Sequence, residues 1–291
     1  MHVAFFTNAY HPVISGVVRS VAAFRQAMTQ MGHNVFIFAP ESSEQVDQEP
    51  FIFRYPAIDL PISTDIPLTF PISSFIDRLL PTLKLDVIHA HHPVLLGQAA
   101  ATKAEELNVP LVFTFHSQYR EYSLYFPISA DKIQELIRGA IDSLIKDFLR
   151  KCQHIIVPSE SMGTFLVQEY GLQDRYTVIP TGIDLRPFIS ADGRSLRAAL
   201  GWQNDKVLIS VGRLAPEKNW KMLLEAGACA LRAVPDLRIV LIGDGPERES
   251  LEKYAGYLGI ADRVTFLGKL PYSDIPAYLK AADIFGFASQ V

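Results

Sequence analysis

Two cations stand five residues apart directly after a largely apolar run, at 207–211, in the second half of the chain. Gly212 ends the run, Arg213 follows it at once, and Lys218 begins the next predicted helix. Ligands of open α/β sheets bind outside the carboxyl ends of strands, and helix N-termini favour anions. A guanidinium fork and an ammonium point charge together suit a diphosphate. The alternative is a solvated loop in which Glu217 pairs with its neighbours.

Glycines mark further turns that open helices. Gly243 and Gly245 flank Asp244 after a predicted strand, where they permit positive φ and close approach of a ligand. The same pattern is also ordinary strand-to-helix punctuation. Gly16 precedes the first predicted helix, so the backbone there could approach a phosphate or a sugar. The sequence contains neither GxGxxG nor GxxxxGK[ST], which removes the main support for an NAD- or ATP-binding protein.

His116 directly follows the predicted strand 111–115. At the carboxyl end of a strand it faces the predicted ligand-binding side of the sheet, beside Tyr119 and Tyr122. The aromatic run of Tyr119, Tyr122, Tyr125 and Phe126 could receive an acyl chain or fill an interdomain face. His116 is therefore a candidate functional residue.

Three further histidines end another predicted strand: His89, His91 and His92. Their spacing fits no zinc signature, and no cysteine or paired carboxylate lies near them in the sequence. We therefore favour a hydrogen-bonding role at the strand end over a metal site.

Short apolar runs alternate with helical patterns along the chain, which predicts parallel sheets covered by helices. The predicted strands are 2–7, 35–39, 51–55, 86–90, 111–115, 154–157, 177–179, 207–211, 237–242, 264–267 and 284–287. Residues 56–81 are predicted to be a long loop with one short helix. A polar stretch at 190–193 separates two alternating series, so we predict domains at 1–185 and 200–291.

The composition is that of a globular protein, with 49% hydrophobic and 20% charged residues and a net charge of −4. The basic residues form no stripe along the sequence, which disfavours a nucleic-acid-binding protein. Cys152 and Cys229 lie far apart without metal spacing, so we expect two buried free thiols in a reducing compartment. There is no signal-peptide pattern and no run of about 20 apolar residues. We expect a cytoplasmic protein, in solution or at the inner face of the membrane.

Several short motifs, in this order, resemble those of retaining family 4 glycosyltransferases. They are Thr114-Phe115-His116-Ser117, Pro180-Thr181-Gly182-Ile183-Asp184, Gly212-Arg213-Leu214 with Glu217-Lys218-Asn219, Gly243-Asp244-Gly245-Pro246, Phe266-Leu267-Gly268 and Ala282-Asp283-Ile284. The resemblance covers essentially the whole chain. It implies the GT-B fold, an α/β architecture of two Rossmann-like domains with the active site between them.

By this resemblance, Arg213 and Lys218 hold the diphosphate of a UDP- or GDP-linked sugar, and His116 contacts the transferring sugar. Gly16 approaches the phosphate or the sugar. Four residues would border the nucleotide: Gly243, Gly245, Gly268 and Lys269. The resemblance implies retention of the donor's anomeric configuration. No metal or cofactor is expected, because cationic side chains and a helix dipole would take the role that Mg²⁺ has in other transferases.

Two departures from the family pattern stand out. Ser15-Gly16 replaces the glycine pair of many relatives, which leaves one close approach intact. Relatives also continue past the last strand into a segment with two glutamates that bind the donor sugar and ribose. We therefore expect a truncated chain with an incomplete second domain, which binds the donor poorly and is poorly active or inactive.

The acceptor is indicated by a narrower resemblance. Residues 14–18 and 115–122 look most like the branch that glycosylates diacylglycerol, so the expected acceptor is a lipid or a sugar hydroxyl. The predicted helix 131–151 carries five basic residues and could lie on an anionic surface, although packing against its own sheet explains the same pattern. Three alternatives stay open: a GT-B-like sugar-nucleotide epimerase, a phosphorylase, and an inactive or partner-binding fragment.

Overall fold

In this computed structural model the described residues are 1–13, 15–42, 47, 49–58, 67–117, 119 and 131–289, with backbone only at 131–134 and 136–138. The chain divides into two compact units, Met1–Ile183 and Asp184–Val291. The segment 186–199, which the sequence analysis left between the two predicted domains, therefore belongs to the second unit. Its two short helices pack against a later helix of that unit.

The first unit is built on a parallel sheet of seven strands in the order β3-β2-β1-β6-β7-β8-β9. These strands are β1 (His2–Phe6), β2 (Asn34–Pro40), β3 (Ile52–Tyr55), β6 (Val87–Ala90), β7 (Leu111–Thr114), β8 (His154–Val157) and β9 (Tyr176–Val178). The central strands β1, β6 and β7 are mostly apolar, as is typical of parallel sheets that helices cover on both faces. The order reverses at β1, where the chain crosses to β6.

Five described helices belong to the first unit: α1 (Gly16–Gln30), α2 (Ser74–Leu79), α3 (Leu96–Leu107), α4 (Asp131–Lys151) and α5 (Glu160–Tyr170). A short antiparallel pair, β4 (Ala57–Ile58) with β5 (Leu68–Thr69), lies outside the main sheet. The predicted loop with one short helix at 56–81 agrees with α2 but does not include the strand pair. Helix α5 has no counterpart among the predicted elements.

The second unit contains four parallel strands in the order β12-β11-β10-β13. They are β10 (Lys206–Val211), β11 (Leu237–Ile242), β12 (Val264–Gly268) and β13 (Ile284–Phe285). The described helices are α6 (Arg186–Ser190), α7 (Gly193–Ala199), α8 (Trp220–Leu231), α9 (Arg248–Tyr257) and α10 (Ile275–Ala281). Here the strand order reverses at β10, between β11 and β13.

The two cysteines differ in their surroundings. Cys152, directly after α4, is buried, whereas Cys229 on α8 is exposed. The prediction of two buried thiols is wrong for Cys229, because α8 buries the face that carries Trp220, Leu223 and Leu224 and turns Cys229 away from it. None of the described helices combines the length and apolar character needed to cross a bilayer.

Candidate active site

The strand order of the second unit places two predicted site residues next to its topological switch point. β10 lies between β11 and β13. The chain leaves β10 toward β11 on one side, and β13, on the other side, is reached by a crossover from β12. Ligands of open α/β sheets bind in the crevice that forms outside the strand ends at such a point. Arg213 lies two residues beyond the end of β10, and Lys218 ends a 3₁₀ turn at Pro216–Lys218.

Arg213 is held from two directions. Its Nη2 donates to Oε1 of Glu217 across 2.9 Å, and its carbonyl oxygen accepts from Nε1 of Trp220, also at 2.9 Å. Trp220 is buried in the core of the second unit. Burial is the largest single influence and raises the pKa of Glu217. The hydrogen bonds from Arg213 and from the backbone amide, together with the charges of Arg213 and Lys218, outweigh burial and leave the pKa below its ordinary value. The backbone is thus anchored in the core, while the Arg213 side chain stays 39% exposed.

Lys218 lies where the segments that follow β10 and β13 meet. Its Nζ is 5.5 Å from the centroid of the Phe287 ring, a cation–π distance. The hydroxyl of Ser289 donates to the carbonyl oxygen of Glu217 at 3.0 Å. The prediction that Lys218 begins a helix needs correction, because α8 begins at Trp220 and Asn219, at φ 50°, separates it from the 3₁₀ turn.

Gly243 and Gly245 are required by the packing of neighbouring loops. Gly243 has φ +135°, and a Cβ there would lie 1.9 Å from the carbonyl oxygen of Gly212. A Cβ on Gly245 would lie 2.4 Å from the carbonyl oxygen of Leu214. The amide of Leu214 donates to Asp244 at 2.9 Å. These contacts fix the loop that carries Arg213, while a contact of either glycine with nucleotide stays a prediction.

The remaining predicted donor residues lie at loop or helix ends. Gly268, at φ +72°, ends β12, and its carbonyl oxygen accepts from Gly243 at 2.8 Å. Lys269, the next residue, is exposed. In the first unit, Gly16 begins α1, and open space surrounds the position that a Cβ would take. The hydroxyl of Ser15 caps this helix by accepting from the amide of Val18 at 3.2 Å.

Four histidines gather near the switch point of the first sheet, where β1 pairs with β6. Nδ1 of His91 and Nε2 of His116 are 3.0 Å apart. Nε2 of His89 lies 2.7 Å from the hydroxyl of Thr114. His92 accepts at Nδ1 from the backbone amide of Asn8 at 3.1 Å. His89, His91 and His92 therefore have the hydrogen-bonding role that the sequence predicted for them, while the predicted sugar contact of His116 stays a prediction.

Burial keeps these imidazoles neutral. It lowers the pKa of His89 and of His92 to about 3, with a further contribution from His116 in each case. Burial also lowers the pKa of His116 to about 4. The pKa of His91 is lowered well below its ordinary value, first by burial and then by the other three histidines. A neutral imidazole has one donor and one acceptor nitrogen, so each contact here has a direction.

The predicted acceptor-side tyrosines have different outcomes. Tyr119 is buried in the core, with its ring centroid 5.4 Å from that of Phe115 and 6.5 Å from that of Phe113. Tyr122 lies outside the described residues. Within the described part of the chain, no group of three histidine, cysteine or acidic residues is arranged to hold a metal ion.

Comparison with known proteins places this arrangement in a family. Residues 14–186 match the profile described as Glycosyltransferase Family 4, and residues 193–291 match the one described as Glycosyl transferases group 1. The first match alone covers more than half of the chain. The chain belongs to Glycosyltransferase Family 4. The resemblance that the ordered motifs indicated is confirmed.

Proteins similar in sequence to this family 4 chain include two alpha-monoglucosyldiacylglycerol synthases. The protein of Streptococcus pneumoniae (strain ATCC BAA-255 / R6) is 33% identical over 99% of this chain and 66% of its own length. The protein of Acholeplasma laidlawii is 29% identical over 99% of this chain and 75% of its own length. The chain thus spans slightly less than two thirds of the first relative.

Solved structures support the same fold. The structure of Anabaena Alr3699/HepE in complex with UDP and glucose aligns with a TM-score of 0.73 at 19% sequence identity. The alignment covers 100% of this chain and 75% of the HepE chain. WaaG, a glycosyltransferase involved in lipopolysaccharide biosynthesis, aligns with a TM-score of 0.67 at 15% sequence identity. The alignment covers 99% of this chain and 75% of the WaaG chain. The family 4 chain is α/β with two Rossmann-like units, and the predicted GT-B fold class is confirmed.

Sequence reasoning missed three residues that shape these family 4 sites. Asn8 bridges β1 to the start of α3, accepting at Oδ1 from the amide of Leu96 at 3.0 Å. Trp220 anchors the Arg213 backbone. His91 was grouped with its neighbours and not linked to His116. The sequence held a signal that His91 is placed like His89. Residues two apart in an extended chain lie on the same face, so the two side chains were expected to be neighbours.

Proposed function

We propose that this protein is a retaining hexosyltransferase that uses a UDP- or GDP-linked sugar and glycosylates a diacylglycerol-type lipid or a sugar hydroxyl. The observation that carries the proposal is the position of Arg213 and Lys218 beside the switch point of a parallel sheet. Two cations complement the negative charge of a diphosphate, and the switch point is where ligands of open α/β sheets bind.

In the proposed reaction the bond between the anomeric carbon and the diphosphate oxygen breaks, and its electron pair leaves with the diphosphate. The acceptor hydroxyl oxygen bonds to the anomeric carbon on the same face of the sugar, and its proton passes to the departing diphosphate oxygen. Arg213 and Lys218 stabilise the charge that grows on the diphosphate. With these cations in place, the reaction is proposed to need no metal or cofactor.

The lipid acceptor is supported by the relatives. Two similar proteins are named alpha-monoglucosyldiacylglycerol synthases, and the chain matches each of them along 99% of its own length. Structural neighbours bound to UDP or UDP-glucose support a uridine-linked donor as the first to be tested. The proposed product is a glycosyl diacylglycerol.

A lipid acceptor requires access to a bilayer, so peripheral membrane contact is part of the proposal. Lys146, Arg150 and Lys151 are exposed along the last turns of α4. Basic side chains near an anionic leaflet contribute about 1 kcal/mol each to attraction. Co-sedimentation with phosphatidylglycerol vesicles should fall as salt rises, and binding only to neutral vesicles would contradict this contact.

The function is tested by a donor and acceptor screen on the full-length gene product. UDP- and GDP-linked hexoses are offered with diacylglycerol in mixed micelles and, separately, with soluble saccharides. Mass spectrometry of the extracts should show a lipid gaining one hexose, or a saccharide gaining one. Release of free hexose or an epimerised donor, without any glycosylated product, would reject the proposed function.

A further inference from the structure

His91 lies directly behind His116 at the carboxyl ends of β6 and β7. The two rings meet edge to edge, with centroids 5.3 Å apart and planes inclined by only 26°. His91 is completely buried, whereas His116 is partly exposed. Any ligand that touches His116 from solvent therefore meets a ring whose inner nitrogen, Nε2, is already engaged by His91.

The His91 ring is locked in its orientation. It stacks on His89 with a centroid distance of 4.2 Å and meets Phe5 edge to face at 4.9 Å. Turning the ring over would move Nδ1 away from His116 and break the 3.0 Å contact. His91 is thus a fixed partner for His116.

A single hydrogen joins the two rings. Burial lowers both pKa values, that of His116 to about 4, so both rings are neutral near pH 7. Each neutral ring carries one N–H and one lone pair. The hydrogen therefore sits either on Nδ1 of His91 or on Nε2 of His116.

The other nitrogen of His91 decides between these two arrangements. Nε2 of His91 is buried and has no hydrogen-bond partner among the described residues. If His116 donated, His91 would carry its hydrogen on Nε2 as a buried N–H without an acceptor. Orphaned buried N–H groups are rarer than unfilled acceptors. The favoured arrangement has the hydrogen on Nδ1 of His91, which donates to Nε2 of His116.

We propose that His91 is a positioning residue that holds His116 as the Nδ1–H tautomer, so that His116 offers a hydrogen-bond donor to a hydroxyl oxygen of the transferring sugar. The sugar contact rests on the proposed function, whereas the tautomer does not. With Nδ1 protonated and Nε2 occupied, neutral His116 acts as a donor and not as a base.

The tautomer is measured directly by long-range ¹H–¹⁵N correlation of the full chain labelled with ¹⁵N-histidine, with His116 assigned from the spectrum of His116→Gln. The expected spectrum has Nδ1 of His116 protonated and Nε2 unprotonated, without any substrate present. A His116 protonated at Nε2, or an even mixture of tautomers, would overturn the proposal.

Two variants of His91 separate positioning from packing. His91→Phe keeps a ring but removes the donor, and should convert His116 to a tautomer mixture and slow hexose transfer about tenfold, the worth of one hydrogen bond. His91→Asn places an amide where Nδ1 was, and should restore the Nδ1–H signature and most of the rate. Unchanged His116 signals in a folded His91→Phe protein would contradict the proposal.

His89→Phe is the matched control, since it makes the same replacement two residues away and removes the contact with Thr114 instead. It should lower the melting temperature comparably and leave the His116 tautomer unchanged. If His89→Phe alters the His116 tautomer as His91→Phe does, the effect is one of packing and the proposal fails. If the tautomer is as expected but no glycosylated product forms, the proposed function fails and the positioning role stands.

Discussion

Arg213 donates to the carboxylate of Glu217 across 2.9 Å, so an acidic side chain of the same loop holds the cation that follows β10. Glu217→Gln keeps an acceptor but removes the charge, and Arg213 should become less well oriented. We expect kcat/KM of the full-length gene product to fall by up to about tenfold, because Gln keeps a hydrogen bond to Arg213 and only the contribution of the charge is lost. Glu249→Gln is the control, because the pair of Glu249 with Lys253 is exposed and should contribute little. Equal rates for both variants would show that Glu217 does not orient Arg213.

Gly243 should tolerate no side chain. Its φ of +135° and the 1.9 Å approach of the Gly212 carbonyl oxygen to a Cβ both exclude alanine. Gly243→Ala should lower the free energy of unfolding by about 1–3 kcal/mol from backbone strain alone. Gly256→Ala, in α9 where open space surrounds the Cβ position, should instead raise it by roughly 0.5–1 kcal/mol. Urea unfolding followed by circular dichroism measures both, and similar values for the two variants would contradict the proposed loop packing.

The buried histidines predict a loss of stability in mild acid. Their pKa values in the folded protein are about 3 for His89 and His92 and about 4 for His116, below the ordinary value of 6.5. The unfolded chain therefore binds more protons below about pH 6.5, and the free energy of unfolding falls as pH drops from there toward 4. The slope is up to about 1.4 kcal/mol per pH unit for each histidine.

Urea unfolding at pH 7 and pH 5 tests this dependence. His92→Asn keeps an acceptor for the amide of Asn8 but removes one titrating group, so its free energy of unfolding should change less between the two pH values. A variant as pH-sensitive as the unaltered protein would show that His92 is already protonated, or exposed, in the folded state.

The two thiols should react at very different rates. Cys229 is exposed on α8, whereas Cys152 is buried and burial raises its pKa to about 12. Because the thiolate is the reactive form, a disulfide reagent at pH 8 should modify one thiol of the native protein rapidly and the second only after unfolding. Cys229→Ser should abolish the rapid phase. Two thiols reacting together in the native protein would contradict the burial of Cys152.

Much of the fold follows from the sequence because the strands are covered on both faces and read as apolar runs. His154–Val157 and Leu237–Ile242 have the predicted bounds. Helix α5 was not predicted, although Ser159 caps its start and Gly171, at φ 68°, ends it. Its apolar residues give only a weak helical period, so the caps were the better signal.

The position of a candidate residue was predictable where it depends only on distance from a strand end, as for Arg213 after β10 and His116 after β7. It was not predictable where it depends on the alignment of two strands. The contact of His91 with His116 requires the register of β6 against β7, in which Ala90 is opposite Phe113. Likewise, Tyr119 follows a strand end but turns back into the core against Phe115, which no pattern of single residues indicates.

The binding of a diphosphate by Arg213 and Lys218 is tested most directly by calorimetric titration of the full-length gene product with UDP and with GDP. Arg213→Ala and Lys218→Ala should each weaken binding of the preferred nucleotide about 10- to 100-fold, the effect of removing one charged contact. Lys221→Ala, which removes the same charge from an exposed position on α8, should leave the affinity unchanged. Affinities of the Arg213 and Lys218 variants within twofold of the unaltered protein, or no nucleotide binding by the unaltered protein, would contradict the account.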